Sequence, residues 1–359
     1  MSMGQKYLGE TVEVKAAHHF DPARLEAYLA GKLPGFAGPL SIRQFEGGQS
    51  NPTYVLDTPG RSYVLRRKPP GVLLASAHAV DREFRVLSAL HAQGFPVPEP
   101  LVYDDDTEIV GSPFYVMAHV PGRVFYDCTM PDLTPPERAA LFDSANETLA
   151  RLHGFDHDAI GLGDFGRPGN YFARQVARWS KQYQAAETVP ILAMDRLMAW
   201  LPGAIPEGDE SCVIHGDYSF HNLLVHPTEP RVVAVVDWEL STIGHPLGDL
   251  FYHMMEWYRP AGLDERGTLA GADLAALGVP TMDAYVAAYC ARRGIPVPEN
   301  AGFYRAFNLF RVAAIWQGIV KRHLDGNASA ASAADLAPRV APLAEAAWRE
   351  AMDAGAEAS

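Results

Sequence analysis

Apolar and polar residues alternate along the first third of the chain, in short runs rich in Tyr, Val and Leu. Turn-forming residues such as Pro59-Gly60 separate these runs, so the runs are predicted to be consecutive β-strands. The predicted strands cover residues 41–45, 53–57, 62–66, 101–103 and 114–118.

Helical spacing interrupts this pattern twice. Asp21 and Pro22 suit the start of a short helix over residues 22–30. Residues 77–92 place an apolar side chain at every third or fourth position, which predicts a longer helix that ends at Gly94. The first part of the chain is therefore predicted to be an antiparallel sheet with one main helix.

Beyond residue 118 the pattern becomes mainly helical. The predicted helices cover residues 136–153, 248–257, 282–293, 301–324 and 333–354. Two strand-like runs, 211–214 and 232–236, interrupt them, and residues 325–334 are predicted to be a flexible connection. Strands first and helices second predict an α+β protein with two lobes, residues 1–118 and 119–359, and a ligand cleft between them.

Composition and charge narrow the function classes. The chain has 359 residues, 48% apolar and 20% charged, an ordinary globular mixture. A net charge of -13 and a pI near 5.4 argue against nucleic acid or an anionic membrane surface as the main partner. No signal peptide is visible, no apolar run has the length of a membrane helix, and the three cysteines form no CxxC pair. We therefore expect a cytoplasmic protein without membrane insertion.

The residues that could take part in a reaction lie in two polar clusters, each flanked by apolar residues. The first, residues 215–222, reads His-Gly-Asp-Tyr-Ser-Phe-His-Asn, and the second is Asp237 after Val235-Val236. Phosphoryl transfer needs one carboxylate that accepts the proton of an attacking hydroxyl. It also needs a carboxylate and an amide oxygen that hold Mg²⁺ on the phosphates of ATP. Asp217, Asp237 and Asn222 match that requirement.

Two other interpretations of these clusters stay open. In the first, His215 and Asp217 only cap a turn and form a buried hydrogen bond. In the second, a metal hydrolase uses a set of ligands whose spacing fits no HExxH-type helix. That set would be His215, Asp217, His221, His226 and His245.

The first cluster and the later Asp resemble the HGDxxxxN signature of the aminoglycoside phosphotransferase and choline kinase-like family. The resemblance covers most of the chain, from Leu40 to Leu324. It implies a two-lobed, protein-kinase-like fold, ATP and Mg²⁺ as cofactors, and a small-molecule hydroxyl as substrate. His215 and Asp217 would be catalytic, with Asp217 as the base, and Asn222 and Asp237 would bind the metal.

The resemblance also assigns cofactor contacts to the first lobe. Gly47, Gly48, Ser50 and Asn51 lie in the break between two predicted strands. A kinase needs backbone N–H groups close to the phosphates there, and glycine permits that approach because it has no Cβ.

Arg66 stands at the position where protein kinases carry a phosphate-gripping lysine. Arginine grips phosphate with a different geometry, and the neighbouring Arg67 and Lys68 could share or replace its role. A basic strand end that faces solvent is the alternative. Glu83 lies on the inward face of its predicted helix, where a charge needs a partner. We expect an ion pair between Glu83 and Arg66, as in kinase-like folds.

Two further segments resemble parts of the family. Residues 114–120 resemble its hinge, so Met117 would border the adenine pocket while backbone groups of Ala118 and Val120 would hydrogen-bond the base. Asp249 would brace the catalytic loop, although N-capping of a helix explains this residue equally well.

The phosphate acceptor is the part of the function that the sequence specifies least. Residues 69–71 and 76–83 are most similar to phosphotransferase domains related to those fused with acyl-CoA dehydrogenases. The predicted acceptor-side helices, 251–266 and 301–324, mix acidic and basic residues, and most of their aromatic residues are expected in the core. The basic residues of these helices suit a hydroxylated acid or acyl derivative better than an aminoglycoside. The alternatives are an aminoglycoside-type antibiotic kinase and a nucleotide-binding module without transfer activity.

Overall fold

The structure is a computed structural model that describes residues 10–46, 51–69, 79–263, 266–326 and 333–357. The first part is an antiparallel sheet of six strands. These are β1 (Thr11–Val12), β2 (Ser41–Phe45), β3 (Thr53–Asp57), β4 (Ser62–Arg67), β5 (Pro100–Asp104) and β6 (Phe114–Ala118). Their spatial order is β1-β2-β3-β4-β6-β5. All five predicted strands are present, and β1 is an additional edge strand.

One helix covers each face of this sheet. α1 (Pro22–Lys32) begins after Asp21, whose carboxylate accepts hydrogen bonds from the first helical turn. α2 (Val80–Ala92) covers the opposite face. Because side chains alternate along a strand, Leu65 of β4 packs with α1, while Arg66 faces α2. This alternation directs Arg66 toward the inner side of the sheet.

The second part is mainly helical, as predicted. The short α3 (Thr107–Val110) precedes β6 in the first part. The helices of the second part are α4 (Pro135–His153), α5 (Tyr171–Ala186), α6 (Leu192–Trp200), α7 (Pro246–His253), α8 (Met255–Tyr258), α9 (Leu274–Leu277), α10 (Met282–Arg293), α11 (Ala301–Leu324) and α12 (Ala333–Asp353). Two short antiparallel pairs accompany them: β7 (Cys212–Ile214) with β10 (Thr242–Gly244), and β8 (Leu223–Val225) with β9 (Val232–Val235).

Several helices differ from the prediction. α5 and α6 have no predicted counterpart. The predicted helix 248–257 is divided at Met254 into α7 and α8. The predicted acceptor-side helix 251–266 is wrong, because the chain leaves helical conformation at Arg259, the residue before Pro260. Proline disfavours helical backbone at the residue that precedes it.

The helical part is built around α11, which packs against α5, α7 and α12. The aromatic residues expected in the core are buried: Trp257, Tyr258, Phe303, Phe307, Phe310 and Trp316. Within the described part of the chain, no helix combines the length and the apolar composition that crossing a membrane requires. The fold confirms the predicted α+β class, and the division into lobes at residue 118 stays a prediction.

Candidate active site

The HGD loop, residues 215–222, lies between two short strands. β7 ends directly before it and β8 begins directly after it. The loop is tied to the end of β9, because the Val236 N–H donates to the Asn222 carbonyl at 3.0 Å. The strand pairing therefore brings Asp237, which follows Val236, next to the loop.

His215 supports this loop from behind. Its side chain is fully buried, and both ring nitrogens contact backbone groups. Nδ1 accepts from the Asp217 N–H at 3.2 Å, and Nε2 donates to the Val236 carbonyl at 2.9 Å. This pattern corresponds to a neutral ring with its proton on Nε2. The prediction of His215 as a catalytic group is corrected, since the ring has no surface that a reactant could contact.

The carboxylate of Asp249 holds the same loop. Oδ2 accepts from the His215 N–H at 2.7 Å, and Oδ1 accepts from the Gly216 N–H at 2.8 Å. Burial would raise the pKa of Asp249, but hydrogen bonds and charge interactions with His153 and His215 hold it below its usual value. Asp249 lies inside α7, whose N-cap is His245. N-capping is therefore the wrong explanation, and the contact with the loop is present.

Asp217 and Asn222 are in direct contact at the front of the loop. Asp217 is partly exposed, whereas Asn222 is buried. The Asn222 Nδ2 donates to the Asp217 carbonyl at 2.9 Å and to its Oδ2 at 3.2 Å. These bonds direct one carboxylate oxygen toward Asn222 and leave Oδ1 of both side chains for other partners.

Arg66 connects the sheet, α2 and the segment after β9. Its Nε lies 2.9 Å from Glu83 Oε2, and its Nη2 lies 2.7 Å from Asp237 Oδ1 and 3.2 Å from Glu239 Oε2. Burial would lower the pKa of Arg66, and the carboxylates of Asp237 and Glu83 raise it above its usual value. The predicted Arg66–Glu83 ion pair is confirmed. The solvent-facing alternative is wrong, because the Arg66 side chain is only 11% exposed.

Glu83 accepts from two further buried groups. Asn51 Nδ2 donates to Oε1 at 2.8 Å, and the Tyr115 hydroxyl donates to Oε2 at 3.0 Å. The Asn51 side chain thus supports Glu83, and a contact of its backbone with phosphate stays a prediction. The other residues predicted in this break lie outside the described residues: Gly47, Gly48 and Ser50.

Arg67 cannot share the role of Arg66. It points to the opposite face of the sheet and is 2% exposed. Its guanidinium donates to the Tyr54 hydroxyl at 3.1 Å and to the His18 carbonyl at 2.8 Å. Alternation along β4 explains this difference between adjacent residues.

A cavity of about 330 Å³ lies between the sheet and the helical part. Its walls combine the predicted hinge with the polar residues described above: Arg66, Met117, Ala118, Val120, Asn222 and Asp237. Apolar side chains such as Val64 and Leu224 complete the lining. The cavity therefore has apolar side chains beside charged and polar ones.

The histidines of the metal-hydrolase interpretation lie apart and have separate partners. His245 caps α7 and packs on Phe172. His226 Nδ1 accepts from the backbone of residues 228 and 229. Across the described ranges, no three His, Cys, Asp or Glu side chains converge on a point that could hold a metal ion. The geometry does not support this interpretation.

Two residues of the site are missing from the sequence prediction. Glu239 pairs with Arg66, and its spacing of two from Asp237 could have drawn attention to it. Arg311 of α11 donates from Nη2 to the Gly216 carbonyl at 2.8 Å. Sequence reasoning identified Arg311 only as one of the basic residues of the predicted helix 301–324, and no sequence signal indicates its contact with Gly216, 95 residues away.

This architecture defines a class: small-molecule phosphotransferases with a kinase-like fold. Comparison with known sequences then gives the family. The phosphotransferase enzyme family matches residues 41–288, and the chain belongs to it. The family predicted from the HGD motif is thereby confirmed.

Relatives include acyl-CoA dehydrogenase family members. Member 11 of Gallus gallus is 47% identical over 342 residues, which are 93% of this chain and 44% of the relative. Member 10 of Mus musculus is 45% identical over 325 residues, 90% of this chain and 30% of the relative. The chain thus spans less than half the length of these relatives. The predicted similarity to the narrower group is confirmed.

Solved structures agree on the fold. A Ralstonia eutropha protein classed with the aminoglycoside phosphotransferases superposes with a TM-score of 0.86 at 48% identity, covering 93% of this chain and 99% of that one. A thermostable mutant of an aminoglycoside phosphotransferase, in complex with AMP-PNP and hygromycin B, has a TM-score of 0.59 at 18% identity, covering 91% and 98%. At 18% identity, the similarity to the second structure supports the fold alone.

Proposed function

We propose that this protein is an ATP- and Mg²⁺-dependent kinase that transfers the γ-phosphate to a hydroxyl group of a small molecule. The observation that carries the proposal is that Arg66, Asn222 and Asp237 line one cavity, with Asp217 in direct contact with Asn222. Phosphoryl transfer requires a proton-accepting carboxylate, metal-binding oxygens and a cation that contacts phosphate.

The donor set of this chain fits Mg²⁺ on nucleotide phosphates. Asn222 and Asp237 both line the cavity and offer one amide and one carboxylate oxygen. Mg²⁺ takes few protein ligands and keeps water and phosphate oxygens as the others. When bound, the metal neutralises negative charge on the phosphates. Arg66, which Glu83 holds at the cavity wall, would contact a phosphate oxygen.

The hinge fits an adenine ring. Met117 borders the cavity, and the Ala118 N–H already donates to the Glu99 carbonyl at 2.8 Å. The Ala118 carbonyl is therefore the group that would accept a hydrogen bond from the base, and the Val120 N–H would donate one.

Asp217 would orient the acceptor hydroxyl and accept its proton as the new O–P bond forms and the bond from the γ-phosphorus to the β–γ bridging oxygen breaks, with ADP as the leaving group. The contact from Asn222 fixes one carboxylate oxygen and leaves the other for the hydroxyl. His215 and Asp249 act only through the backbone of the loop, so we assign both as positioning residues.

Charge around Asp217 supports an acidic acceptor. Three basic residues of the predicted acceptor-side segments are bound by carboxylates: Arg259 by Glu256, Arg305 by Glu350 and Lys321 by Asp325. Arg266 and Arg311 both act electrostatically on Tyr252, a residue that also interacts with Asp217. Cations beside the base suit a hydroxylated acid or an acyl derivative better than an aminoglycoside. The acyl-CoA dehydrogenase names of the relatives agree with this class.

Thermal shift with ATP, with and without Mg²⁺, tests the nucleotide site. We expect Mg²⁺-dependent stabilisation of the wild type and of Asp217→Asn, and its loss in Asp237→Ala, because a ligand stabilises only the state that binds it. ADP release should fall by about 100-fold or more in Asp217→Asn, since a general base acts on the chemical step.

A panel of hydroxy acids, their CoA thioesters and amino sugars then tests the acceptor. Preference for amino sugars would reject the acidic acceptor. Mg²⁺-dependent ATP binding without transfer to any acceptor would favour the nucleotide-binding module. Wild-type turnover in both variants would overturn the assigned roles.

A further inference from the structure

We propose that Arg311 is a positioning residue for Asp217, holding the HGD loop in its reactive shape from the distant helix α11. The inference rests on the proposed function, since it takes Asp217 as the base. It adds a residue that lies outside the nucleotide cavity and outside the HGD motif.

The peptide group between Gly216 and Asp217 is held on both sides. Its carbonyl accepts from Arg311 Nη2 at 2.8 Å, and its N–H donates to His215 Nδ1 at 3.2 Å. The preceding peptide N–H belongs to Gly216 and donates to Asp249 Oδ1 at 2.8 Å. Arg311, His215 and Asp249 thus fix two successive peptide planes. These two planes set the direction in which the Asp217 side chain leaves the backbone.

Arg311 has few other partners. It is 7% exposed, and in the described ranges no carboxylate forms an ion pair with it. Its guanidinium lies over the rings of Tyr252, at 5.0 Å, and Trp179, at 5.9 Å. A buried cation without a carboxylate is costly, and the carbonyl and the two aromatic faces offset that cost. The Gly216 carbonyl is therefore a principal contact of this side chain.

A second route leads from Arg311 to Asp217 through Tyr252. Burial and the nearby Asp217 carboxylate raise the pKa of the Tyr252 hydroxyl, so the phenol stays protonated and can donate toward Asp217. Because the Arg311 guanidinium covers the Tyr252 ring, it restricts where that hydroxyl can lie. Loss of Arg311 should disturb both the backbone of the HGD loop and the position of Tyr252, which interacts with the Asp217 carboxylate.

Arg305 provides a matched control on the same helix. Its Nε lies 2.5 Å from Glu350 of α12, and both side chains are mostly buried. Arg305→Met removes a comparable buried arginine without touching the HGD loop. Arg311→Met removes the loop contact, and Arg311→Lys keeps one N–H donor that can reach toward the Gly216 carbonyl.

Two measurements on the full chain test the proposal. The first is steady-state ADP release from Mg·ATP, with the most active acceptor of the panel or with water. We expect Arg311→Met to lower kcat by about 10- to 100-fold while KM for ATP changes by less than about twofold, because displacement of a catalytic group affects the chemical step. Arg311→Lys should recover part of the loss, and Arg305→Met should keep kcat.

The second measurement is hydrogen–deuterium exchange of the peptide that covers residues 215–222. Faster exchange in Arg311→Met than in Arg305→Met supports the proposal without any need for activity, and Arg311→Lys serves if the Met variant does not fold. Unchanged exchange or wild-type kcat in a folded Arg311 variant overturns it, as does an equal loss in Arg305→Met. Faster loop exchange in a protein that neither binds Mg·ATP nor releases ADP would instead reject the proposed function and retain the positioning role.

Discussion

Backbone conformation at single residues orients the site. Gly216 has φ 84° and Asp237 has φ 65°, both in the left-handed region. A Cβ at Gly216 would lie 2.6 Å from the Leu240 carbonyl oxygen, so glycine is needed there for conformation and for space. At Asp237 a short polar side chain tolerates the same region. Such strained positions concentrate at functional sites because the surrounding structure maintains them.

The Gly216→Ala substitution tests this requirement. We expect it to lower the free energy of unfolding by about 1 to 3 kcal/mol, the cost of a strained backbone position, and to lower ADP release because the loop must shift. Gly203→Ala is the control, since a Cβ there meets no atom within 4 Å, and its effect should stay within about 0.5 kcal/mol. Denaturant unfolding measures both variants, and equal midpoints would contradict the argument.

Arg66 shows which contacts of a single residue the local sequence pattern can predict and which it cannot. Helical periodicity placed Glu83 on an inward face where a charge needs a partner, and the resemblance to kinase-like folds named Arg66 as that partner. The pairing of Arg66 with Asp237 was not predictable, since that contact depends on how the helical part docks under the sheet.

At the scale of elements, α12 is part of the core of the helical region. It packs against α11 and α6 although it contains Pro338 and Pro342. Leu343 is fully buried, whereas Glu345, two residues later, is exposed. The sequence predicted this helix but indicated no role for it, because an alanine-rich segment carries no motif.

We therefore expect Leu343→Ala to destabilise the protein by about 2 to 5 kcal/mol, the usual cost of an incompletely filled core cavity. Glu345→Ala on the same helix should change stability by less than about 0.5 kcal/mol. Thermal or denaturant unfolding distinguishes the two. Similar stability of both variants would mean that α12 is not an integral part of the fold.

α5 is an element that the sequence analysis overlooked. It begins at Tyr171 after Asn170, whose backbone is left-handed with φ 49° and whose side chain makes no capping hydrogen bond. A signal was nevertheless present: Phe172, Val176, Trp179 and Tyr183 recur at helical spacing and are buried. Attention to periodicity alone would have found this helix.

At the scale of the whole molecule, the aromatic packing of the helical part disfavours a charge on His253. His253 is 2% exposed and surrounded by aromatic rings, among them Tyr218 and Trp257. Its Nε2 lies 2.8 Å from the Tyr285 hydroxyl. Burial lowers the pKa of His253 from 6.5 to about 4.

This burial makes global stability depend on pH. Between pH 6.5 and about 4 the unfolded chain binds a proton at His253 that the native protein does not, so stability falls as the pH falls through this window. One such group contributes on the order of 3 kcal/mol over that range. Denaturant unfolding at several pH values should show a shallower dependence in His253→Gln, whereas the exposed His91→Gln should follow the wild type. Identical slopes in all three proteins would refute the assignment.

The sequence by itself determined the strand order along the chain, most helices, the HGD motif and the inward position of Glu83. These features follow from periodicity, turn chemistry and the donor types that phosphoryl transfer requires, all of which are local. Only the tertiary structure placed His215 behind the loop, joined Arg66 to Asp237 and brought Arg311 to Gly216. The physical reason is that these contacts join elements far apart in the chain, and their positions depend on how whole helices and sheets pack.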